Sequence, residues 1–132
     1  MSISLTAQDH TTIRTAAFGA VTLMSFAAVG SAHQVATDGT LALASATGAV
    51  GHVLAGKKRD FKLDAKSSAA LAEQVLPALT ASVRLLEAQD PAEAVNFRTT
   101  VTVAVEAAAR AHKGESPVLD AMTGKITAAL DA

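Results

Sequence analysis

Residues 15–37 read TAAFGAVTLMSFAAVGSAHQVAT, 23 consecutive positions without an Asp, Glu, Lys or Arg. The run sits in a charge-poor half of the chain. Asp9, Arg14 and Asp38 are the only charged side chains in the first 56 residues, and all the others follow. Ions stay in water because desolvating one costs several kcal/mol unless it is well paired. A stretch this free of charge is either the buried spine of the fold or a surface that meets a second copy, a membrane or an apolar ligand. Ile13, Ala17, Phe18, Val21, Leu23, Met24, Phe26 and Val29 go nearly all the way round a helix. All-round apolarity marks a central helix.

The flanking punctuation extends this reading. Thr6, with Asp9 three positions on, resembles a capping box and starts a helix from about Ala7 to Val29. Residues 30–39 then form a connection in which Asp38-Gly39 is a turn dipeptide. Thr40 caps a second helix over about 41–55, rich in Ala, Gly, Leu and Val and stopped by Gly56. Asp64 or Ser67 opens a third helix to about Ala88, with Leu71, Val75, Leu79, Val83 and Leu86 on one face. Pro77 falls in its wet row with Glu73, Thr80, Arg84 and Glu87, which predicts a bend rather than a break.

Asp90-Pro91-Ala92-Glu93 is the clearest start signal, placing a cap, a first-turn proline and an acid in order. That fourth helix reaches about His112, with a polar row of Thr99, Thr102, Glu106, Arg110 and Lys113. Ser116-Pro117 opens a fifth, with Leu119, Met122, Ile126 and Leu130 inward. Val101–Val105 is strand-like locally but is embedded in a helical period. The expected fold is all-α: a single domain over 1–132, an antiparallel bundle of about five helices.

Composition narrows function by exclusion. Half of the 132 residues are hydrophobic, the aromatics are four Phe, and the net charge is −1. This balance gives no electrostatic case for nucleic acid. Without cysteine there is no disulfide, thiolate-bound zinc or thiol nucleophile. The leading region has one Arg, one Asp and no Lys, unlike a signal peptide. A membrane span needs ~20 predominantly apolar residues, and Thr15, Thr22, Ser25, Ser31, His33, Gln34 and Thr37 make residues 15–37 too polar. A cytoplasmic protein without membrane insertion is expected.

Residues suited to chemistry are scattered. His10, His33, His52 and His112 form no zinc spacing, and no nucleophile elbow, Ser-x-x-Lys or phosphate loop is present. No enzyme and no cofactor is expected. Lys57, Lys58, Arg59 and Lys62 are the one basic cluster. They follow a helix C-terminus, where positive charge complements the helix dipole, and they are also the candidate anion contact.

Two segments echo each other. Ala36-Thr37-Asp38-Gly39-Thr40 and Ala111-His112-Lys113-Gly114-Glu115 each follow a long apolar helix containing a Phe. This suggests two helix–turn–helix halves about a pseudo-twofold. On these residues, and on Met122 through Leu130 as a closing helix, the chain resembles the TerB-like fold of tellurite-resistance proteins over about half its length. The resemblance implies a stress protein that binds a cation at acidic turns. Here one turn has only Asp38, and the other carries Lys113 where an Asp would sit. If the pseudo-twofold holds, the two turns bring together His33, Asp38, His112 and Glu115 as the candidate metal set. Residues 9–20 also resemble small helical proteins of high-GC bacteria.

The leading expectation is a non-enzymatic protein acting by association as a homo-oligomer, through Phe18, Leu23, Phe26, Leu41 and Leu43. The alternatives are the TerB-like cation binder and a small carrier of an apolar ligand between helices.

Overall fold

The computed structural model describes residues 3–56 and 61–132, and among them six α-helices and no strand. They are α1 (Ala7–Ala27), α2 (Ala32–Ala44), α3 (Gly48–Ala55), α4 (Ser68–Gln89), α5 (Pro91–Ala111) and α6 (Pro117–Asp131). The all-α bundle is as expected, with one helix more.

The charge-free run forms most of α1 and the first half of α2. In α1, Ile13, Ala16, Ala17, Ala20, Leu23 and Met24 are fully buried. The helix touches all five others, most extensively α4. Its start is the expected capping box: Thr6 Oγ1 accepts from the Asp9 amide and Asp9 Oδ2 accepts from the Thr6 amide, each at 3.0 Å. Arg14 is buried in the same helix, and its Nε donates to the Val53 carbonyl at 2.9 Å. A guanidinium at the last turn of α3 complements that helix's dipole.

The connection expected at 30–39 and the helix expected at 41–55 are both corrected. Asp38-Gly39 lies inside α2 and is no turn. Gly39 is buried where α2 crosses α1, and a Cβ there would stand 2.8 Å from Val21 Cγ1. The glycine serves close helix approach. The real break falls at 45–47, where Gly48 takes φ +72°, a conformation that side-chain-bearing residues rarely adopt. The two echoing segments therefore differ in local structure, one helical and one a loop at Gly114.

The second half follows the punctuation closely. Ser67, Asp90 and Ser116 each cap their helix, accepting from the amides of Ala70, Ala92 and Leu119. Pro77 faces solvent and α4 continues through it. Val101–Val105 is helical, within α5. Glu93, the acid of that start signal, is half-buried and turned onto α3: its Oε1 accepts from the Val50 amide at 3.0 Å. Asn96 Nδ2 donates to the Thr47 carbonyl at 2.8 Å. Side chains of α5 thus hold the break between α2 and α3.

Candidate functional site

Two surface features bring together residues that could do something. The first is a cleft of about 560 Å³ at one end of the bundle. The α1–α2 turn meets the end of α5 there, and Val29, Ser31, His33, Gln34, His112 and Lys113 line it. Ser31 Oγ and His112 Nδ1 share a hydrogen bond at 2.5 Å. Ser31 stands at the N-cap of α2 but makes no capping bond with its side chain. Its hydroxyl ties the turn to α5 instead.

The cleft unites two of the four expected metal ligands, His33 and His112. Asp38 and Glu115 do not line it, and Asp38 Oδ1 accepts from Gln34 Nε2 at 2.8 Å. Among the described residues no group of three or more His, Asp or Glu is arranged to hold a metal ion. Of that four-residue set, the two imidazoles line the cleft and the two carboxylates do not. A Ser–His contact is also the beginning of a nucleophile–base pair, but such a pair works when a third group orients the imidazole. Among the described residues His112 has no acid bonded to it.

The second feature is the outer surface of α2 and α5, the helices that pair most extensively with each other. On α2 the exposed positions are Ala32, His33, Gln34, Thr37, Thr40, Leu41 and Ala44, with no Asp, Glu, Lys or Arg. Leu41 is 65% exposed. On α5, Val95 is 56% and Val103 44% exposed. Ala42, Ser45, Ala46, Asn96, Thr99 and Val103 border a shallow charge-free groove between the two helices. Thr99 and Val103 also border a second groove toward Thr127 and Leu130 of α6. The α5 ridge therefore separates two grooves on one continuous face.

The five expected interface residues divide. Leu23 and Leu43 are buried within the subunit and are corrected to core residues. Phe18 is half-buried and stacks on Phe61, with ring centroids 5.6 Å apart. Phe26, 41% exposed, and Leu41 remain on the surface. Val95 and Val103 were not read from the sequence as surface residues. Their signal was available in the eight-residue spacing that sets both beside the polar row of Thr99 and Thr102. In the basic cluster Lys57, Lys58 and Arg59 lie outside the described residues, while Lys62 is exposed and its carbonyl accepts from Gln74 Nε2.

Among the described residues α4 is long and apolar enough, by length and composition, to cross a membrane. It packs against α1, α5 and α6 and carries Glu73, Arg84 and Glu87 on its exposed side. Comparison of the chain with protein-family models, curated proteins and solved structures finds no match.

Proposed function

We propose that this protein is a non-enzymatic, cytoplasmic helical module that works by self-association through the outer face of α2 and α5. The observation that carries the reading is Leu41. It stands mostly exposed on a helix whose exposed positions carry no charge, and α5, the helix that pairs most extensively with α2, exposes Val95 and Val103. Single exposed apolar residues are ordinary; several on two paired helices have the apolar composition of an interface centre. For a chain that presents one such face, a closed dimer is the commonest assembly. Light scattering coupled to size exclusion tests the reading with Leu41→Glu. The variant is expected to run at the monomer mass where the parent runs heavier, and equal masses would contradict the role of this face.

A cation-binding role of the TerB-like kind is the second reading, favoured by His33 and His112 lining one cleft. The Ser31 bond occupies His112 Nδ1 and leaves Nε2 available, as an outer partner does for a metal-bound imidazole. Two imidazoles suit a transition metal better than calcium or magnesium. Titration calorimetry with nickel and zinc is expected to give heat that His33→Ala abolishes. Heat that survives both His33→Ala and His112→Ala would place any metal elsewhere.

A further inference from the structure

On α5, Arg98, Thr102 and Glu106 follow at four-residue spacing and are all exposed. Residues so spaced form one surface ridge, and ridges of this type interdigitate in the commonest class of helix packing. Val95, Thr99 and Val103 form the ridge beside it. Among the described residues neither Arg98 nor Glu106 has an ion pair or hydrogen-bonding side-chain partner. At ~1.5 Å rise per residue the two charges stand about 12 Å apart along the axis, with Thr102 midway.

We propose that two copies of the chain pair through α5 in antiparallel orientation, about a twofold axis beside Thr102. Arg98 of each copy then meets Glu106 of the other. The inference rests on the self-association reading and gives it a geometry. Two such ridges laid side by side in opposite directions set Thr102 against its own copy. They also set unlike charges together at both ends. The parallel alternative would oppose Arg98 to Arg98 and Glu106 to Glu106, and like charges across an interface suppress that arrangement. A twofold uses the same patch on both subunits and closes. The exposed Val95 and Val103 flank the paired ridges and lose water with them. Asp131 of α6 borders the same groove as Arg98 and is a second acid within its neighbourhood. The decisive variants therefore include Glu106 and the exchange of both charges.

Sedimentation equilibrium on the whole chain tests the pairing with Arg98→Glu, Glu106→Arg, the double variant, and an equimolar mixture of the two single variants. Each single reversal is expected to weaken the dimer by about tenfold or more, since it sets like charges together at two places. The double variant and the mixture are each expected to recover the parent association, because both restore two opposite-charge pairs. A parent dimer that no reversal weakens overturns the pairing and leaves self-association standing. Reversals that weaken the dimer without recovery in the double variant and the mixture overturn it as well. A parent that is monomeric throughout removes self-association itself. Where a reversal disturbs the helical signal, the Arg98→Ala and Glu106→Ala double-mutant cycle reads the same coupling.

Discussion

Glu93 Oε1 accepts the backbone N–H of Val50, so a carboxylate from the first turn of α5 caps the N-terminus of α3. Thr47 makes no side-chain capping bond at that helix start. The cap comes from a residue 43 positions away in sequence. Glu93→Ala is expected to destabilise the fold by about 1–2 kcal/mol, the usual cost of a lost N-cap. Glu93→Gln keeps an acceptor oxygen but loses the charge, and is expected to cost less. Urea denaturation of the three chains ranks them, and an alanine variant as stable as the parent would contradict the capping role.

Two glycines in helix interiors are expected to respond oppositely to the same change. A Cβ on Gly39 meets Val21 Cγ1 at 2.8 Å, and valine has little freedom to retreat. Overpacking costs roughly 1–3 kcal/mol, which outweighs the gain of about 1 kcal/mol in helix propensity. Among the described residues nothing lies within 4 Å of the same atom at Gly124 in α6. Gly124→Ala is expected to stabilise by about 0.5–1 kcal/mol. Thermal melts of both variants check the pair of signs.

Ser82 and Thr80 form a second contrast, on α4. The Ser82 hydroxyl is fully buried and, among the described residues, has no hydrogen-bond partner. Thr80 Oγ1 donates to the Ala129 carbonyl at 2.7 Å and ties α4 to the last turn of α6. A buried polar atom without a partner costs about 1–3 kcal/mol, so Ser82→Ala is expected to be neutral or stabilising. Thr80→Val leaves a carbonyl of the α6 end without its donor and is expected to destabilise by about 1 kcal/mol. Chemical denaturation is expected to give a lower midpoint for Thr80→Val and an unchanged or higher one for Ser82→Ala.

Helix starts were legible because their chemistry is local. Thr6 with Asp9, Ser67, Asp90-Pro91 and Ser116-Pro117 all act within a few residues of themselves, and each opens a helix as read. Glycine was misread at Asp38-Gly39 because one residue type serves both a turn and a close helix crossing. Only the neighbour decides between them, and that neighbour, Val21, is distant in sequence. The break at Gly48 was missed for the complementary reason: it is held by Glu93 and Asn96 from another helix. The same limit applies to the candidate interface. Charge depletion pointed to the first 56 residues, yet depletion marks core and exposed surface alike. It placed Leu43 and Leu41 together, although one faces inward and the other outward on α2.

Self-association through the outer face of α2 and α5 is the central claim, and sedimentation equilibrium of the unaltered chain, across a wide range of concentration, addresses it most directly. A reversible dimer whose population rises with concentration is the predicted result. A single ideal species at the mass of one chain, up to the highest concentration that stays in solution, would contradict it.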